Sequence, residues 1–276
     1  MEKRRMCPNC RAFISADDRV CPYCEATVGP RAIERRTPSD VAGGLIPHAR
    51  FTTTVILLIN FGLYAATALY SMRHSGAESL FDVDGRTLLI FGAKYPPAIW
   101  QGQWWRLVTA GFLHGGILHI VMNCWVIFDL GTQVEQVYGT SRYLVLYFLT
   151  TVAGFLASSW WSGALSVGAS APLFGLIGAM IALGVRNRHT SLGAAMRGHY
   201  TQWALWGLAM GFLPGLRVDN AAHLGGLAAG FVIAYLMGTP SLFERWSDKA
   251  WQIAGGICVA ITALAFAQMF LFLTSV

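Results

Sequence analysis

Charge is what this sequence has least of. Asp, Glu, Lys and Arg make up 12% of its 276 residues, about half the share carried by a soluble globular domain. Acids are the scarcer sign, 14 against 20 Lys and Arg. So few ionic groups cannot coat a water-soluble surface of this size, which excludes an ordinary soluble enzyme. The first 50 residues lack the apolar core of a secretory signal, and they are not the acid-poor amphipathic stretch of a transit peptide. No internal repeat or low-complexity tract is visible. Without duplicated halves, a transporter built on internal repeats is disfavoured.

What is present is apolar. Hydrophobic residues reach 55% and the mean hydropathy is +0.49, values of a chain that crosses a membrane several times. The net charge of +6 could point to nucleic acid. The basic residues, however, flank apolar runs, where the positive-inside rule accounts for them. The partner expected from charge is therefore the lipid bilayer, with no nucleic acid.

Residues 1–36 are of a different composition and read as a small cytosolic head, with 37–50 as a Pro- and Gly-containing linker. The head holds Cys7-Pro-Asn-Cys10 and Cys21-Pro-Tyr-Cys24. Each CxxC turn presents two thiolates to one ion, and two such turns complete a tetrahedral Cys₄ shell of the kind Zn²⁺ prefers. Iron held by the same geometry and a pair of disulfides are the competing readings. Four thiolates leave no open coordination position, so the expected Zn²⁺ is structural. Catalysis needs no cofactor in this reading.

From Phe51 onward, seven stretches are apolar enough to span, approximately 51–70, 107–130, 143–161, 170–185, 200–213, 221–237 and 250–274. The first six make a membrane domain over 51–240, and 241–276 adds a seventh helix. The fold class is all-α and polytopic. Spans four to six fall short of the roughly 20 residues a crossing needs, which predicts ends set below the interface in a protein-lined cavity. Arg186, Arg188 and Arg197 lie between spans four and five, and Arg245 and Lys249 between six and seven. Residues 162–169 carry no basic residue and 214–220 only Arg217. The N-terminus is therefore expected in the cytosol and the C-terminus outside, most simply in a prokaryotic plasma membrane. The loop 71–106 cannot span, and its Trp100, Trp104 and Trp105 predict a hairpin anchored in the interface.

Polar residues inside spans are costly and mark candidate sites. His119 and Asn123 are four apart and share a helix face; they could donate to an oxyanion or bond between helices. Ser170 opens span four before Pro172, as a nucleophile or an ordinary N-cap. Ala171, Gly175, Gly178 and Ala182 follow it in one small-residue stripe. His223 shares a face with Gly226 and Gly230, a GxxxG contact that would bring the imidazole against the helix of Ser170. Trp104-Trp105-Arg106 precedes span two, where Arg106 could bind lipid phosphate or order the hairpin.

In order along the chain, FGAKYPP, QGQWWRLVTAGFLHGG, HIVMN, GASAPLFGLIGA and VDNAAHLGGLAAG resemble the rhomboid family over roughly Phe91–Gly230. The resemblance implies a six-helix core that cuts transmembrane helices of membrane-protein substrates with a Ser–His dyad. It implies Ser170 as nucleophile, His223 as base, and His119, Asn123 and the Ser170 amide as oxyanion donors. Arg106 falls in the family's Trp-Arg hairpin motif, and Phe174 where an aromatic ring often stacks on the base. The seventh span resembles a six-plus-one layout, and the zinc-ribbon head lies outside the family core.

One position departs from the Gly-x-Ser-Gly pattern of that family: Ala171 stands in the last place. Pro172 biases Ala171 toward extended angles that alanine tolerates, so its methyl is expected beside the scissile bond, narrowing the substrates accepted. Asp219, four before His223, could complete a triad but suits an N-cap better. The alternative to a protease is a non-catalytic binder of membrane clients.

Overall fold

A computed structural model describes residues 4–7, 9–15, 18–28, 51–74, 81–214, 217–239 and 245–275; the linker expected over 37–50 lies outside them. The chain divides into two compact units, Met1–Pro47 and His48–Val276. The first contains a two-stranded antiparallel sheet of β1 (Arg4–Met6) and β2 (Phe13–Ser15), with Arg5 opposite Ile14. The second is all-helical in its regular elements.

Its helices are α1 (Phe51–His74), α2 (Gly85–Ile90), α3 (Pro96–Trp100), α4 (Arg106–Thr109), α5 (Ile117–Val126), α6 (Thr132–Trp161), α7 (Ser170–Arg186), α8 (Ser191–Ala209), α9 (Asn220–Met237) and α10 (Arg245–Ser275). By length and composition, Phe51–His74, Ile117–Trp161, Asn220–Met237 and Asp248–Ser275 can each cross a membrane, and Ser170–Arg186 is a shorter apolar helix. The run 117–161 is two helices meeting at a kink at Gly139, φ +76°. Span five, expected over 200–213 and short, is instead helix α8, which starts nine residues earlier at Ser191 and is 19 residues long. Arg197 therefore lies within the helix and not in the loop before it; Arg197, His199 and Gln202 lower its hydropathy. The chain is thus an all-α multi-pass membrane protein.

Two further sequence expectations need correction. Span two is not one helix from 107 to 130. It breaks at Leu113–Gly116, where Val83 N donates to Gly115 O (3.0 Å) and Ile117 N to Phe81 O (2.8 Å); Gly115 and Gly116 let the loop reach in and replace helix bonds. Trp105 is not an interface anchor either. It is buried, with its ring 5.7 Å from Phe272 of α10, whereas Trp100 and Trp104 remain exposed. The hairpin is ordered from within by Arg106, whose Nη1 donates to Leu89 O (2.6 Å) and Ala93 O (3.1 Å) and whose Nε donates to Gln103 (2.6 Å). These three carbonyl-type acceptors tie the buried guanidinium to the hairpin's own backbone and side chains.

Small residues set the centre of the bundle. A Cβ at Gly226 would collide with Ala171 O, at Gly230 with Gly175 O, and at Gly178 with Leu227 O. Helices α7 and α9 therefore touch backbone to backbone, the close approach that small-residue stripes permit in lipid. Gly154 of α6 meets Ala222 O at 2.7 Å by the same measure, so α6, α7 and α9 share one seam. At the other end of the bundle, Glu135 accepts from Thr52 N (3.3 Å), Thr53 N (3.0 Å) and Thr53 Oγ1 (2.8 Å). This carboxylate caps α1, whose first turn has no acid of its own. Beside it, Arg142 pairs with Asp248 at 3.0 Å, tying α6 to α10.

Candidate active site

Helix α7 has 17 residues, about 25 Å of rise, less than the roughly 30 Å of hydrocarbon. Ser170 is its first residue and is half-buried. The N-cap is Ala169, with no side-chain cap, so Ser170 Oγ is not spent on capping. Gly168 precedes it at φ +132°, and a Cβ there would lie 2.7 Å from His119 Nε2 and 3.5 Å from Ser170 Oγ. Glycine is required twice over, by backbone angle and by space. Ser170 Oγ and His119 Nε2 flank this one residue.

His223 sits in the first turn of α9, 5% exposed, and its ring stacks on Phe174 with centroids 4.0 Å apart and planes 11° from parallel. Phe174 is one turn beyond Ser170 on α7. The Ala171–Gly226 backbone contact lies immediately below both side chains, which is how the small-residue seam brings the serine and histidine ends of two helices together. Among the described residues no hydrogen bond joins Ser170 Oγ to His223, and His223 Nδ1 has no partner. Hydrogen bonds of this kind often tighten only with substrate bound.

Asp219 caps α9, accepting from Ala222 N at 3.0 Å, and its other oxygen accepts from Ser158 of α6. Both carboxylate oxygens are engaged away from the imidazole, so the N-cap role holds and the triad does not. Asn123 donates to His119 O at 2.8 Å, leaving its second N–H free to serve elsewhere. His119 packs edge-on to His114, with centroids 5.0 Å apart. Fully buried and without a hydrogen-bond partner for either nitrogen among the described residues, His114 supports the His119 ring. Its spacing five before His119 was the available signal, and sequence reasoning gave it no role.

The expectation for Ala171 is overturned on both counts. Ala171 is helical, within α7, because Pro172 in a first turn has no amide that the helix would use. Its methyl is fully buried and faces Gly154 of α6, in a cluster with Ala110, Phe155 and Ala222. It does not border the open site.

In the N-terminal unit, the Sγ atoms of Cys7, Cys10, Cys21 and Cys24 all lie within 4.8 Å of one another. The two CxxC turns are built alike: Cys7 N donates to Ala12 O and Cys21 N to Ala26 O, each at 2.9 Å. The residues after each pair, Arg11 and Glu25, both take positive φ. The Ala26 amide, with the Asn9 side chain, lowers the Cys24 thiol to about 6, whereas against the Ala12 amide the neighbouring Cys24 and Cys21 sulfurs raise Cys10 to about 12. The cluster could hold one metal ion.

Comparison with known proteins comes to the same region. The Rhomboid domain model matches residues 101–240. The chain is 34% identical over 252 residues to rhomboid-like protease 1 of Toxoplasma gondii, covering 88% of this chain and 83% of that one. It is 34% identical over 192 residues to rhomboid-like protease 3 of the same organism, covering 67% and 72%. It is 35% identical over 186 residues to rhomboid protease GluP of Bacillus subtilis (strain 168), covering 67% of this chain and about a third, 35%, of that one.

Proposed function

The chain belongs to the rhomboid family, and we propose that it is an intramembrane serine endopeptidase cutting membrane-protein substrates at a transmembrane helix through Ser170 and His223. The observation that carries this reading is the pairing of the two helix N-termini. The imidazole is held by the Phe174 ring one turn from an uncapped, half-buried serine.

A serine hydroxyl is a weak nucleophile until an adjacent base takes its proton. His223 would accept the Oγ proton as Oγ bonds to the scissile carbonyl carbon, leaving a tetrahedral oxyanion. The Ser170 amide, His119 and the free N–H of Asn123 would donate to that oxygen, an interaction strongest as charge develops. His223⁺ then protonates the departing amine, leaving an ester on Ser170. Water, deprotonated by the same imidazole, releases the acid and restores the hydroxyl. The short α7 lets water reach this depth. The test is cleavage of a single-span substrate in liposomes. Wild type should cut it and Ser170→Ala should not, whereas a wild type no better than that variant would make the chain a client binder.

In this reading Ala171→Gly should leave the ranking of a substrate panel unchanged. Its measurable effect is on stability, a loss of about 1 kcal/mol from helix propensity and the missing methyl, read as a lower denaturation midpoint. A reordered substrate ranking would restore the methyl to the site.

The orientation proposed places the short α7–α8 connection, with Arg186 and Arg188, in the cytosol and the Ser170 end of α7 toward the outside. A reporter active only in the cytosol should work when inserted near Arg188 and be silent when fused after Val276. The reverse pattern would invert the site.

We further propose that the ion held by the four cysteines is Zn²⁺ in a structural role, since a Cys₄ shell leaves no position open for a substrate or water.

A further inference from the structure

The nucleophile is delivered by the loop 162–169, between α6 and α7, which has no helix or sheet of its own. Its anchoring follows a period of two. Ser162 O and Ala164 O accept from Lys94 Nζ at 3.0 and 2.9 Å. Ser166 exchanges both backbone bonds with Lys94, N to O at 3.1 Å and O from N at 3.0 Å, as an antiparallel bridge. Gly168 N donates to Ala110 O at 2.9 Å. Alternate residues of an extended run point the same way, and three of these four pins come from one lysine.

Lys94 is 0% exposed, which is unusual for the side chain that most strongly prefers water. No carboxylate among the described residues forms an ion pair with it. Burial pushes its ammonium below the usual range, and the Asp219 carboxylate opposes that. An apolar side chain of equal length would fill the space at less cost. What it could not do is donate to two carbonyls four residues and more before Gly168. From there the order passes through Ser166 and Gly168 to the point where Ser170 Oγ meets His119.

We propose that Lys94 is a positioning residue for proteolysis, clamping loop 162–169 so that Gly168 holds its left-handed geometry and Ser170 Oγ is presented to His119 and His223. This rests on Ser170 as the nucleophile. The residue does not touch the reacting atoms. Its effect is on the fraction of chains whose serine is aligned, which changes turnover and leaves substrate docking alone.

The test uses the full-length protein in liposomes, with Lys94→Met and Lys94→Arg. A misplacement of the nucleophile on the order of 1 Å costs about a hundredfold. Lys94→Met should therefore lower kcat, and fluorophosphonate labelling at Ser170, by about ten- to a hundredfold, with KM unchanged. Amide exchange across 162–169 should quicken while the remaining helices stay protected. Lys94→Arg, which keeps two donors, should recover most of the rate. Should Lys94→Met fail to fold, Lys94→Gln keeps one donor and should be folded with an intermediate kcat. Wild-type kcat in Lys94→Met or Lys94→Gln, or a loss shared equally by KM, would overturn the clamp. A wild type that fails to label at Ser170 would instead overturn the nucleophile, and the clamp with it.

Discussion

His223→Ala should lower single-turnover cleavage of a single-span substrate by about three orders of magnitude or more, and Ser170→Ala should remove it to background. The size follows from the chemistry. Without a base, Ser170 must attack as the neutral hydroxyl, and the departing amine has no acid to protonate it. Because the two residues act as a unit, the double variant should be no slower than the worse single one. Phe174→Leu separates the ring's contribution. An aromatic pair is worth about 0.5–1.5 kcal/mol beyond its area, so loss of the 4.0 Å stack on His223 should cost about tenfold at most. Removing a ring that is 5% exposed could also loosen α9. Each variant should therefore be shown folded by its denaturation midpoint. A folded His223→Ala protein cleaving at the wild-type rate would take His223 out of the mechanism.

The second large effect concerns the head. Purified protein should carry about one zinc per chain, and replacing Cys7 and Cys10 with serine should reduce that to none. Four sulfurs around Zn²⁺ at about 2.3 Å define a tetrahedron with edges of about 3.8 Å. Cys7–Cys24 and Cys10–Cys21 stand at 3.7 and 3.6 Å without a disulfide among them. A head this small buries too little to fold unaided, so metal binding and folding are one equilibrium there. Amides of β1 and β2 should lose protection together with the metal. Iron in place of zinc would change the ion, and metal-free protein with an ordered head would contradict the assignment. Since the cysteines and the membrane helices fall in separate compact units, deleting residues 1–36 should leave cleavage largely intact. Lost cleavage in a folded truncation would give the head a part in the reaction.

Much of this was legible from the sequence because membrane helices advertise themselves. Hydropathy located α1, α6, α9 and α10, and the small-residue stripes of α7 and α9 foretold their backbone contact. The paired CxxC turns foretold the cysteine cluster by spacing alone, and Asp219 was readable as a cap. What stayed hidden depends on tertiary partners. Trp105 reads as an interface anchor until Phe272, more than 160 residues later, covers it. The break at Leu113–Gly116 needs the carbonyl of Phe81 to replace a helix bond. Ala171 was misplaced because the bias of a residue before proline was applied where the first turn of a helix overrides it. Lys94 stood in the FGAKYPP run without a role of its own, since its acceptors Ser162 O and Ala164 O lie 68 and 70 residues later.

Reaction of the intact protein with a fluorophosphonate, followed by peptide mapping, tests the central assignment most directly. The phosphonyl group should be found on Ser170 in the wild type, be absent from Ser170→Ala, and be strongly diminished in His223→Ala. An adduct on another serine, or undiminished labelling without His223, would contradict the Ser170–His223 pair.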